Sequence, residues 1–239
     1  MVAVPVVSGD KPDKNYATFR PMQNAVELDL TRWREEPVPK LWSEEWRAAN
    51  HGTECYVFEH EGKLMVSDYR PGSALEYCTA DGCFNGLNKG EFGGELWFEP
   101  YNGEKYRLLY CNPVAVFAVN GQYYLLEGLA HLDVSRGGIY VLEYDGARYS
   151  ARKLQDLHAA PRVVLVQGFA AYILVDKRLY KWDLGGGKSA ITTIADIEAL
   201  YALYPHSMVK QGDEFIIGAR GGITVVNEKT GLVRWFVRP

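Results

Sequence analysis

Histidine, cysteine and paired carboxylates carry most metal-free and metal-assisted protein chemistry, and this 239-residue chain has five histidines and four cysteines. His51, His131, His158 and His206 each stand next to the end of a predicted strand. A histidine titrates near neutrality and ligates metals. Four of them on one edge would offer a general base (His158 or His206) or a His-rich metal site completed by Asp133. Cys78 and Cys83 are spaced as Cys-x4-Cys. Zinc would need two more converging ligands, and Cys55 and Cys111 belong to other predicted strands, so a loop disulfide or two free thiols is expected instead. "WDLGGGKSA" contains Gly-Lys-Ser, but Trp182 stands where a phosphate loop has its first glycine. The "AITTI" that follows is strand-like rather than the helix whose N-terminus would face a phosphate. No G-x-S-x-G, H-E-x-x-H or calcium-loop pattern occurs. Neither a catalytic set, nor a cofactor, nor a metal site is expected.

The elements that position these residues come from an internal period. Residues 112–128, 160–176 and 204–219 each run Pro, short strand, x-Gly turn, second strand, and residues 53–68 follow the same plan without the proline. The turn glycines are Gly62, Gly121, Gly168 and Gly212, spaced by 59, 47 and 44 residues. Glycine tolerates the positive φ of a tight hairpin. A second hairpin follows each first one, beginning at Gly93, Gly137, Asp176 and Gly221. Four short strands, A to D, repeating at this period match the blades of a β-propeller. Upstream, "AVPVVSGD", "YATFRPM", "AVELDL" and "PKLW" supply a degenerate set. The expected fold is therefore all-β, a small β-propeller of about five four-stranded blades in one domain over 1–239, with blades near 1–50, 51–111, 112–157, 158–203 and 204–239. Four blades with an N-terminal extension, or a β-sandwich, are the alternatives. A helix is expected only at residues 43–50, where Ser43 can cap the first turn.

The closing "GGITVVNEKTGLVRWFVRP" resembles the last hairpin of a quinoprotein-type propeller repeat, in which an Asp/Asn-x-x-Thr-Gly turn precedes a strand bearing a Trp. Trp182-Asp183 is similar to the dipeptide of WD repeats, without the Gly-His partner. Quinoprotein dehydrogenases as a family are longer, periplasmic, carry adjacent cysteines and hold calcium beside the quinone. This chain has no Cys-Cys pair, so the resemblance implies a blade and not a cofactor: Thr230-Gly231 turns the chain and Trp235 packs between sheets. Propeller glycosidases carry acids on their inner strands. The strands "PVAVFAV", "PRVVLV" and "PHSMVK" have none, leaving no proton donor and no nucleophile for glycoside hydrolysis.

Bulk composition narrows the classes further. Apolar residues make up 47% and charged residues 23%, as in ordinary globular chains. With a formal charge of −4 and no basic block longer than "KRLYK", nucleic acid is not an expected partner. No apolar run approaches the roughly 20 residues that span a bilayer, so no membrane role is expected. The opening residues do not read as a signal peptide, and the expected location is the cytoplasm.

In a propeller the D–A connections and B–C loops share one face, which would gather His51, His158, His206 and His131 with the long insertion 69–92. Loops on a rigid scaffold are where binding surfaces are built. The expected function is a non-catalytic protein-binding module, in its specific form an inhibitor or immunity-type protein covering a partner's active site. Its contact residues would be Tyr69, Arg70, His131, Asp133, Arg136, His51, His158, His206 and Tyr204. A sugar-binding lectin using Tyr110, Tyr201 and Tyr204, or a metal-dependent hydrolase or lyase on the histidine face, are the alternative readings.

Overall fold

The computed structural model describes residues 24–70, 72, 74–185 and 190–238. The stretches "AVPVVSGD" and "YATFRPM", and the Gly-Lys-Ser of "WDLGGGKSA", lie outside them. The fold class is all-β, of the small β-propeller type: five separate antiparallel sheets built as short meanders, not the two sheets of a sandwich. Among the described residues, no helix is long and apolar enough to cross a membrane. The chain forms two compact units.

One unit holds residues 24–70 and 197–238. Its first elements are β1 (Val26–Glu27), β2 (Arg34–Glu36), α1 (Glu44–Asn50), β3 (Tyr56–His60) and β4 (Lys63–Ser67). Ser43 caps α1, accepting the Trp46 amide at 3.2 Å, as its position before "EEWRAAN" requires. β3 and β4 form the hairpin expected around Gly62, whose φ is +74°, and β1 pairs onto β4.

The other unit runs from residue 72 to 196 and contains three complete four-stranded meanders. The first is β5 (Ala74–Cys78), β6 (Gly82–Asn88), β7 (Gly94–Pro100) and β8 (Tyr106–Tyr110). The second is β9 (Pro113–Val119), β10 (Gln122–His131), β11 (Val134–Tyr144) and β12 (Tyr149–Leu157). The third is β13 (Pro161–Gln167), β14 (Ala170–Val175), β15 (Arg178–Asp183) and β16 (Ala190–Asp196). In the third meander burial is greatest in β14. Every residue of β14 is buried, whereas most of β16 is not. A strand covered on both faces reads as a continuous apolar run, and "AAYILV" is one. Phe84, Phe98, Tyr123 and Tyr149 meet ring to ring at centroid distances of 4.7–6.1 Å, filling the core of this unit with Leu96, Val116 and Leu125. Fully burying a side chain such as Phe84 or Leu96 contributes roughly 1.5–3 kcal/mol.

Residues 69–92 were expected as one long loop, and this is corrected: they contain β5 and β6. The hairpins at 53–68 and 93–110, expected in one blade, consequently belong to different sheets. The stretch lacks clean alternation because its glycines serve close packing. A Cβ on Gly86 would lie 2.7 Å from the Pro113 ring, and one on Gly82 2.3 Å from the Glu99 carbonyl.

The last meander returns to the first unit: β17 (Ser207–Gln211), β18 (Glu214–Ala219), β19 (Gly222–Asn227) and β20 (Val233–Val237). β2 adds a fifth strand, Arg34 opposite Val237 and Glu36 opposite Trp235. The closing turn is held by Asn227, whose Oδ1 accepts the Lys229 and Thr230 amides at 3.1 and 3.0 Å. Trp235 is buried. Leu28, Val57, Val66, Ile216, Ile223 and Phe236 form the core of this unit.

Candidate binding site around Glu54

Just outside β3 and β18, Glu54 and Arg220 form a single antiparallel bridge. This brings a carboxylate and a guanidinium together from positions 166 residues apart. Glu54 Oε1 accepts Arg220 Nε at 2.9 Å, and Glu54 Oε2 lies 3.0 Å from His206 Nε2. Arg70, beyond the end of β4, approaches Glu54 Oε1 at 3.7 Å while remaining 65% exposed. Arg220 also reaches Asn50 Oδ1 at 3.5 Å and lies over the Tyr204 ring, 4.2 Å from its centroid. Buried Tyr56 packs between Tyr69, at 5.1 Å, and His206, at 5.6 Å.

The charges here are fixed by these contacts. Burial pushes the Glu54 carboxyl up, but hydrogen bonds from His206 and Arg220 outweigh it and hold the group below the usual glutamate value. Glu54 is therefore an ionised acceptor. Burial holds His206 below the ordinary histidine value, against the pull of Glu54. A neutral imidazole has one N–H, and an acceptor-only carboxylate places it on Nε2. His206 Nδ1 then carries a lone pair, buried and without a hydrogen-bond partner. A base sealed from solvent has no substrate to deprotonate, so the general-base role envisaged for His206 has no geometry behind it. With one carboxylate, two guanidinium groups and a neutral imidazole, the cluster is net positive, and the excess charge is on exposed Arg70.

A second set of aromatic side chains lies in the same unit. The rings of Trp42 and Trp46 are 4.6 Å apart, and Trp42 is 6.3 Å from Tyr201. Trp46 is buried and donates its indole N–H to the Ala199 carbonyl at 3.1 Å, while Trp42 is 56% exposed. Trp42 and Tyr204 both have left-handed backbone, φ +68° and +52°, and Tyr204 is 43% exposed. A bulky residue in this region is a conformational outlier.

Of the residues expected to bind, Tyr69, Arg70, Tyr204 and His206 are brought together here. His51 is exposed at the C-cap of α1, one residue past Asn50. Glu54, Arg220, Asn50 and Trp42 were not expected. Glu54 precedes strand β3 as His206 precedes β17, and that positional analogy was the one available signal.

The remaining expected residues lie in the other unit. His131 ends β10 and pairs with Glu91 at 2.7 Å, and Asp133 is exposed in the turn between β10 and β11. Arg136 lines a pocket with Glu127 and Asn112, and His158 is exposed just past β12. Residues 129–137, read in sequence as the B–C loop that carries His131, form a tight hairpin instead, with Leu132 at φ +50°. Among the described residues, the single group of three or more potential metal ligands is Glu76, Cys78 and Cys83. The two sulfurs of that group are bonded to each other. No described histidine joins such a group.

No family model and no curated protein matches the chain. Among solved structures, the chain is similar to the tricorn protease at 12% identity and TM-score 0.39, covering 77% of this chain and 26% of that one. It is also similar to an exo-beta-1,3-galactanase from Phanerochaete chrysosporium at 9% identity and TM-score 0.39, covering 76% and 52%. The chain spans about a quarter to a half of these proteins, and likeness at this level carries nothing about activity.

Proposed function

We propose that the protein is a non-catalytic module that binds an acidic surface of a protein partner through Trp42, Arg70 and Tyr204. The observation that carries this reading is the exposure of Trp42 and Tyr204 on left-handed backbone. Strain of this kind costs on the order of 1–3 kcal/mol per residue and concentrates at functional positions. Trp, Tyr and Arg are also the residue types that dominate interface energetics. Arg70 supplies the charge, since Glu54 is already engaged by Arg220 and His206. In the inhibitor or immunity-type form of this reading, Arg70 and Tyr204 cover the carboxylates of a partner's active site.

The test places a photocrosslinking amino acid at position 42 or 204 and, as control, at exposed Tyr144 on the other unit. The expected result is one protein captured from 42 and 204 but not from 144. Once purified, that protein forms a stoichiometric complex that Arg70→Glu weakens at least tenfold and that salt weakens further. Turnover of a substrate by the isolated protein, or a complex indifferent to Arg70→Glu, overturns the proposal.

A further inference from the structure

A cavity of about 390 Å³ lies within the unit of residues 72–196, lined from β7, β8, β10, β11 and β12. Its size falls in the range of small-molecule sites. Three acceptor side chains line it, of which Glu95 is paired with Arg107 at 3.5 Å, leaving two. Asn112 is buried, and its Nδ2 donates to the Gly90 carbonyl at 2.9 Å, which fixes the amide's orientation. Its Oδ1 is left buried with no hydrogen-bond partner. A Cβ on Gly94 would meet the Leu87 and Cys111 carbonyls at 2.4 and 2.5 Å and this oxygen at 2.9 Å, so only glycine leaves room beside it. Glu127 is the other acceptor. Burial pushes its carboxyl up, with Arg136 and Lys153 pulling the opposite way.

The rim is aromatic and exposed. Phe92 is 84% and Tyr110 70% accessible, and Arg107 lies 3.6 Å from the centre of the Tyr110 ring. A buried acceptor left without a donor is unfavourable, so this wall is suited to a ligand that donates. The charges select its class. A free anion would meet Glu95 and Glu127, and a cation would meet Lys89, Arg136 and Lys153. A neutral molecule with several hydroxyls and one apolar face meets neither obstacle. Its hydroxyls donate to Asn112 Oδ1 and Glu127 and accept from Arg136, and its C–H face lies on Phe92 and Tyr110.

We propose that this pocket binds a neutral pyranose sugar ring. The proposal is independent of the protein-binding surface around Glu54.

The experiment titrates isotope-labelled protein with the methyl glycosides of glucose, galactose and mannose, following backbone amides by NMR. Inorganic phosphate and ethylamine serve as anionic and cationic probes. At least one glycoside is expected to give saturable shifts at Gly94, Asn112 and Gly128, reduced at least tenfold in affinity by Tyr110→Ala and abolished by Glu127→Ala. Tyr110 is mostly exposed, so its variant folds even if the Glu127 variant does not. The proposal is overturned if every glycoside is silent up to tens of millimolar, if phosphate or ethylamine alone shifts these amides, or if Tyr110→Ala binds as the parent does.

Discussion

Glu54 holds His206 by its Oε2 at 3.0 Å and Arg220 by its Oε1 at 2.9 Å, so one carboxylate ties the approach to β17 to the residue that follows β18. Removing one partner of a buried ion pair leaves the other charge uncompensated, which costs about 3–5 kcal/mol when the pair is fully buried. Glu54 and Arg220 are largely but not wholly buried, so Glu54→Ala is expected to lower stability by about 2–3 kcal/mol. Glu54→Gln keeps an acceptor and should cost less, about 1–2 kcal/mol. Urea denaturation at neutral pH reads both values. A loss under about 0.5 kcal/mol for Glu54→Ala would mean that the cluster does not hold these segments.

The same pair sets a pH profile. His206 is held below its ordinary value of 6.5 in the folded protein. As pH falls below 6.5, the unfolded chain binds a proton at this position before the folded one does, and stability drops. The loss continues until pH reaches the folded value. Glu54, held below 4.5, contributes stability that is intact above 4.5 and is lost as pH falls further through its folded value. Acid destabilisation should therefore begin near pH 6.5 and show a second component below 4.5. His206→Gln should remove the upper component and leave the lower. Denaturation midpoints taken from pH 7.5 to 3.5 check this, and an unchanged upper component in the variant would assign it to another group.

Cys78 and Cys83 face each other across the β5–β6 hairpin and are joined by a disulfide. A loop this short gives an entropic stabilisation of only about 2 kcal/mol. Disulfides persist in oxidising surroundings and are rare in the cytosol. Thiol titration of the denatured protein, purified without reductant, should find two free thiols, Cys55 and Cys111, and four after reduction. Four without reduction would show the pair to be free. Replacing both residues with serine should lower stability by about 2 kcal/mol.

Most of the scaffold was legible because hairpins announce themselves locally. Gly62, Gly121, Gly168 and Gly212 each have φ between +56° and +76°, and each lies where a tight A–B turn was expected. Ser43 announced its helix in the same local way. Pairings set by distant segments were not legible. β2 joins β20 across some 200 residues, and nothing in "REE" names "VRWFV" as its neighbour. The β5–β6 hairpin was hidden because Gly82 and Gly86 are spaced for close packing and break the alternation that marks a strand. The site was half legible for the same reason. Strand ends pointed to Tyr69, Arg70, Tyr204 and His206, but Glu54 and Arg220 acquire their roles only from a long-range bridge.

Tyr204 and Trp42 offer the sharpest separation of binding from folding. For an ordinary residue the left-handed region costs roughly 1–2 kcal/mol, and glycine occupies it freely. Tyr204→Gly loses its stacking with Arg220 but relieves that cost, and Trp42→Gly trades contacts with Trp46 and Tyr201 for the same relief. Each variant should stay within about 1 kcal/mol of the parent in urea denaturation, while binding of the crosslinked partner weakens at least tenfold. If Tyr204→Gly instead costs about 2 kcal/mol or more and leaves binding intact, the tyrosine is a packing residue. The surface proposed around Glu54 would then lose its central contact.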